Sequence, residues 1–194
     1  MMGAISISAY GIVLAVSYLL GIFLFWRWGR REGFSSDDLF DLALVSSLAA
    51  IAGGKLPPML LAISSDFFWS GAIMAGAISL LVFASFKRWS FFRLLGLTAL
   101  ALSFAEAAGF IGLAFLEIQS PWMAAGGAVR AGLVYFVYRR FSPELTIFLY
   151  LMLEGFLLYF SRGYLSLALA GAGVIGLVWI AIRKRFKVKR RNGK

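Results

Sequence analysis

Apolar residues in this chain neither alternate nor recur as one narrow stripe. They continue for a helix length at a time and are then cut by short basic or turn-forming clusters. A bilayer core takes roughly 20 mostly apolar residues in a helix. Seven runs approach or exceed that length: 4–26, 39–63, 67–86, 94–116, 123–138, 145–160 and 164–182. The fifth and sixth are the short ones, at 16 residues each. Connections are short throughout, so helices adjacent in sequence are expected to lie antiparallel. The pattern predicts an all-α polytopic integral membrane protein with seven transmembrane helices. It forms a single transmembrane domain over residues 1–182, followed by a basic tail at 183–194.

Composition supports this class and removes others. Apolar residues make up 61% of the chain and charged residues 14%, against about 45–50% and about 25% in soluble domains. A globule of 194 residues cannot hide that much apolar surface. With no Cys and no His, thiol nucleophiles, imidazole bases and the usual zinc sites are excluded. No metal and no cofactor is expected.

The net charge of +10 would suggest nucleic acid in a soluble protein, but here the cations sit between apolar runs, and no nucleic-acid partner is expected. With the N-terminus outside, the inner loops hold Arg27, Arg30 and Arg31, then Lys87, Arg88 and Arg93, then Arg139 and Arg140. The tail adds Arg183, Lys184, Arg185, Lys187, Lys189, Arg190, Arg191 and Lys194. Sixteen of the 19 cations thus fall on one side, and only Arg162 falls in an outer loop. Cytoplasmic loops are the basic ones, so the expected topology is N-out, C-in. The first run lacks a basic leader and is long enough to span, so it reads as a retained helix. The tail reads first as a topology anchor and second as a patch for anionic headgroups.

Small residues recur four apart at Ala72/Gly76, Ala105/Gly109, Ala108/Gly112 and Ala172/Gly176. They let helix backbones approach where lipid removes any apolar driving force. Pro57 and Pro58, after Gly53 and Gly54, are expected to break the second helix near its outer end. Four charges lie inside the spans: Lys55, Glu106, Arg130 and Glu154. A charge at membrane depth is costly unless paired or hydrated. Lys55 stands 14 residues outward from Asp41, and Glu106 stands 13 from Arg93. At about 1.5 Å per residue these two share a depth. Arg130, 9 residues from Arg139, matches Glu154, 10 from Glu144. Two readings stay open: ion pairs that hold helices together, and a polar cavity receiving a lipid headgroup with Lys55 and Arg130 facing its phosphate.

Soluble-enzyme motifs are missing, including Walker, nucleophile-elbow and zincin patterns. The order of features instead resembles the prolipoprotein diacylglyceryl transferases, seven-span bacterial inner-membrane enzymes. Ile5-Ser-Ile-Ser-Ala-Tyr10-Gly11 is similar to their first-helix motif ending in Tyr-Gly. Arg27-Trp-Gly-Arg-Arg-Glu-Gly-Phe34, and then Asp41-Leu, resembles their basic loop and Asp-Leu stretch. Ala52-Gly-Gly-Lys55-Leu resembles Gly-Ala-Arg-Leu, with Lys for Arg, and Trp69-Ser-Gly71-Ala resembles His-Gly-Gly-Leu. Phe104-Ala-Glu106-Ala-Ala-Gly109-Phe110-Ile-Gly112-Leu113 resembles the Gly-Arg-Ile-Gly-Asn signature helix. Tyr150-Leu-Met-Leu-Glu154-Gly155, on to Arg162, resembles the penultimate helix. The likeness covers about residues 5–165 and is clearest over 5–56.

The resemblance implies transfer of diacylglycerol from phosphatidylglycerol to the lipobox cysteine of a prolipoprotein. It implies membrane phospholipid and prolipoprotein signal peptides as partners, and the bacterial cytoplasmic (inner) membrane as the location. Candidate catalytic residues are Tyr10, Lys55 and Arg130, and Glu106, Gly109, Phe110, Gly112 and Glu154 join them as candidate lipid-binding residues. The chain departs from the family where the chemistry falls. The signature Arg aligns with Phe110, its Asn with Leu113, the His with Trp69 and the penultimate-helix Arg with Leu158. The polar lip before the fifth span reads Ser120-Pro-Trp-Met-Ala-Ala-Gly126, and the head insertion after the fourth is almost absent. A second function therefore stands beside the first: a non-catalytic lipid-binding or partner-stabilising membrane protein on the same fold. Losing one electrostatic stabiliser costs about 10²–10³ in rate. The expectation from sequence is that the chain neither restores growth to a bacterium depleted of its own transferase nor lipidates a reporter prolipoprotein.

Overall fold

The computed structural model describes residues 2–61, 69–162 and 171–180, with side chains over 9–56, 71–156 and 171–180. The protein is all-α: the described residues form α1 (Met2–Arg31), α2 (Ser36–Leu61), α3 (Trp69–Phe86), α4 (Phe91–Phe115), α5 (Pro121–Arg140) and α6 (Pro143–Arg162). A further helix, α7, covers Gly171–Ile180. Three helices are long and apolar enough to cross a membrane by length and composition, over Ala9–Arg31, Ser36–Leu56 and Phe91–Phe115. At 20 residues each, α5 and α6 reach about 30 Å, the thickness of a bilayer core. The basic tail 183–194 lies outside the described residues.

The surface is that of a membrane protein. Phe115 and Trp122 are 85% and 84% exposed, while Leu94, Leu97, Ala99, Leu100 and Ser103 of α4 are fully buried. Large apolar side chains outside and small ones at helix contacts is the arrangement lipid permits and water opposes.

Contacts divide the chain into two compact units, Ile22–Leu95 and the pair of stretches Met1–Gly21 and Gly96–Lys194. Within the first, α2 and α3 meet backbone to backbone. A Cβ on Gly53 would lie 2.5 Å from both the Gly71 carbonyl oxygen and Ala75 Cβ. Further along, Gly76 faces Ala50, and Ser79 donates to Ser46 at 2.9 Å. The α1–α2 and α3–α4 loops lie at one end of this unit. There Arg93 pairs with Glu32 and Lys87 with Asp38, each at 2.6 Å, and Phe34 packs on Trp89 at 4.6 Å between ring centroids. These ion pairs are half exposed and contribute little singly, about 0–1 kcal/mol.

In the second unit α1 packs on α4 through small residues, with Gly109 against Ser17, Gly112 against Val13 and Gly21 against Ala105. On α7, a Cβ at Gly173 would stand 2.5 Å from the Met152 backbone nitrogen of α6. Three helices end by the same hydrogen-bond pattern. Phe34 N bonds to Gly29 O, Trp89 N to Ala84 O and Ile118 N to Leu113 O. The residue before each has a left-handed backbone: Gly33 (φ 87°), Arg88 (φ 56°) and Glu117 (φ 57°). Glycine takes that conformation freely, whereas the other two carry a Cβ against the following carbonyl.

One expectation is corrected. Pro57 and Pro58 do not break α2, which remains helical to Leu61. Each proline removes one backbone donor, so the carbonyls of Gly53 and Gly54 lose their partners four residues on. Membrane helices tolerate such freed carbonyls when their surroundings satisfy them again.

Candidate functional site

The membrane charges of the second unit are brought together by α4, α5 and α6. Ser120 caps α5, accepting from Trp122 N at 3.3 Å, and Pro121 supplies the preset first-turn φ. Seven residues on, Gly127 lies against α4, where a Cβ would stand 2.8 Å from Phe110 Cδ2 and 3.4 Å from Ala107 Cα. That close approach delivers the next turn of α5, with Arg130, to Glu106. Arg130 Nη2 donates to Glu106 Oε2 at 2.6 Å, and Nη1 pairs with Oε2 of Glu154 on α6. One turn before Glu154 on the same face of α6, the Tyr150 hydroxyl donates to Glu106, 3.1 Å from each carboxylate oxygen.

Burial is uneven across this network. The Arg130 side chain is 2% exposed and Glu154 10%, while Glu106 keeps 31%. Two carboxylates share one guanidinium, so the triad carries one net negative charge with both acids ionised. A buried cation needs such partners, because leaving it alone in an apolar interior costs several kcal/mol. The guanidinium also lies over two rings, 5.6 Å from the Tyr150 centroid and 6.0 Å from that of Phe110. Among the described residues its Nε is buried with no hydrogen-bond partner.

Glu106, Arg130 and Glu154, singled out by depth, are thus joined in one network, and Phe110 stacks against its cation. Gly109 and Gly112 lie at the α1–α4 crossing, facing Ser17 and Val13. Tyr10 is 42% exposed on α1 and takes no part in these bonds. Lys55 is exposed on α2 in the other unit. Arg130 and Tyr150 both engage Glu106, the carboxylate that depth matching had set beside Lys55. The side chains of Trp69 and Leu158 lie outside the described residues. Tyr150 was the residue sequence reasoning missed, and its spacing of four from Glu154 on one helix face was the available signal.

The arrangement provides one positive centre, two carboxylates and a phenol inside a helical bundle, a set able to accept and hold a proton. Comparison with known proteins gives it a context. No family model matches the chain. It is 28% identical to the phosphatidylglycerol–prolipoprotein diacylglyceryl transferase of Clostridium tetani over 121 residues, covering 56% of this chain and 49% of the relative. The transferase of Trichormus variabilis is 29% identical over 168 residues, 76% of this chain and 56% of the relative. That of Acaryochloris marina is 27% identical over 216 aligned positions, 92% of this chain and 76% of the relative.

The chain is a divergent relative of these transferases. It spans about half the length of the first two. The likeness to the diacylglyceryl transferases includes α4, on which Glu106, Gly109, Phe110 and Gly112 follow one another. There the apolar Phe110 borders the network, and the cation comes from Arg130 of α5.

Proposed function

We propose that the protein is a reduced diacylglyceryl transferase of the bacterial cytoplasmic membrane. In this reading it has seven spans in a single domain, N-terminus outside. The loop contacts Arg93–Glu32 and Lys87–Asp38 support the topology in part, because they place two basic loops at one end. The lipid substrate is phosphatidylglycerol, and the acceptor is the lipobox thiol of a prolipoprotein signal peptide. Sulfur bonds to the terminal glyceryl carbon of the diacylglyceryl group, the carbon–oxygen bond to phosphate breaks, and glycerol phosphate leaves with the electron pair.

The observation that carries the proposal is the buried Arg130, held between Glu106 and Glu154 on helices that share the transferase pattern. A guanidinium in a low-dielectric site stabilises developing phosphate charge far better than one in water. With Phe110 in place of the family's Arg and Leu113 in place of its Asn, fewer cations and donors share that load, and turnover is expected to run at least about 10²–10³ below that of the relatives.

The test uses the purified full chain in phosphatidylglycerol vesicles with a synthetic lipobox peptide, read by mass spectrometry. Slow formation of a diacylglyceryl thioether, lost in Arg130→Met, supports the proposal, and growth of a transferase-depleted bacterium is still not restored. One observation favours a second reading, since both terminal nitrogens of Arg130 are already engaged by carboxylates. Retained phosphatidylglycerol with no thioether after long incubation overturns the transferase and establishes the non-catalytic lipid-binding protein.

A further inference from the structure

We propose that Glu106 is the group that takes the proton from the acceptor thiol, an assignment that rests on the transferase reading. The chain contains no histidine and no cysteine, so a base for the thiol has to be a carboxylate, a phenolate or a lysine amine. Phenols and amines are mostly protonated at neutral pH, which leaves a carboxylate, and Glu106 and Glu154 are the carboxylates that the sequence sets at membrane depth. Glu154 is closed off, with its side chain 10% exposed and its Oε2 buried against Arg130. Glu106 is open, with 31% of its side chain exposed. Arg130 from α5 and Tyr150 from α6 hold its carboxylate in place. On the other side of α4, helix α1 meets it through Val13, Ser17 and Gly21, none of which is charged.

Proton transfer to Glu106 also answers the objection that Arg130 is saturated. Among the groups named, two carboxylates face one guanidinium in the resting network, a balance that disfavours a phosphate beside Arg130. Once the thiol proton sits on Glu106, the network is neutral and Arg130 Nη2 faces one charge fewer. That nitrogen can then turn to the leaving phosphate. The proton stays on the protein, the sulfur carries its electron pair to the glyceryl carbon, and the phosphate oxygen departs with the pair of the broken bond. Glu106 thereby couples activation of the nucleophile to release of the cation that stabilises the leaving group. Tyr150 is a positioning residue in this scheme, because it acts through Glu106.

Glu106→Gln keeps the shape and an acceptor for Arg130 and Tyr150 but removes the basicity. The experiment measures thioether formation in phosphatidylglycerol vesicles between pH 6 and 9.5 for wild type, E106Q and E154Q, with lipid retention measured alongside. E106Q is expected to lose about 10²–10⁴-fold at pH 7, the usual worth of a general base, while retaining lipid. The loss is expected to shrink as pH passes the ordinary thiol value of about 8.5, because the thiolate then needs no base. E154Q is expected to leave the shape of the profile unchanged. An E106Q profile parallel to wild type overturns the assignment alone, as does rescue at high pH in E154Q. No thioether from wild type overturns both the assignment and the reading it rests on. If E106Q fails to fold, wild type is assayed with a selenocysteine peptide, whose selenol is already ionised at pH 7. The assignment then requires the rate to lose its dependence on pH between 6.5 and 8, and a dependence equal to that of the thiol peptide overturns it.

Discussion

Arg130 and Glu106, 24 residues apart in sequence, meet at 2.6 Å between α5 and α4, and Glu154 closes the other side of the same guanidinium. Removing Arg130 alone strands two carboxylates in the bundle. Arg130→Met is therefore expected to cost about 3–5 kcal/mol, read as thermal unfolding in detergent. Arg130→Lys should recover only part of the loss, since an ammonium cannot fork between two acids as a guanidinium does. The triple change Arg130→Met, Glu106→Leu, Glu154→Leu should return stability to near wild type, because it leaves no unpaired charge. A triple variant as unstable as the single one would show that the network's shape matters more than its charge.

The α2–α3 crossing makes a second prediction. A methyl group on Gly53 meets the backbone oxygen of Gly71, which cannot turn aside as a side chain can. Gly53→Ala should destabilise by about 1–3 kcal/mol. Gly132 on α5 has nothing within 4 Å of its Cβ position. Gly132→Ala should therefore stabilise by about 0.5–1 kcal/mol through helix propensity. Equal effects from the two changes would remove the close crossing as the explanation.

Glu117 sits at φ 57° after α4, a conformation that costs a residue with a side chain roughly 1–2 kcal/mol. Glu117→Gly should raise the unfolding midpoint in detergent, and Gly33→Ala, at φ 87°, should lower it. A fall with Glu117→Gly would mean that its carboxylate contributes more than the strain it causes.

Topology is tested separately. Reporter fusions after Arg140 and after Lys194 should both read cytoplasm, and one at Ser120 should read the outside. An outer signal at Arg140 would reverse the orientation inferred from the basic loops.

The hydrophobic runs alone determined the all-α membrane class, because a backbone in lipid has to satisfy its own hydrogen bonds and the length of an apolar run sets the length of a helix. The runs also placed α1 to α6 to within a few residues, because the clusters that cut the apolar runs also separate the helices. Depth counting from the loops paired Arg130 with Glu154, because both distances are measured along straight helices. It did not show that Glu106 also meets Arg130. Which cation faces that carboxylate depends on how α4 and α5 are rotated about their axes, and a packing contact, Gly127 on Phe110, fixes that rotation. Tyr150 was obscure for the same reason, as an apolar-bodied residue in an apolar run whose hydroxyl finds its acceptor 44 residues away. Pro57 and Pro58 read as a break because sequence rules weigh a lost donor locally, whereas α2 continues to Leu61. Sequence set the helical class and the approximate extents of α1 to α6, and only their packing decided which charges share one site.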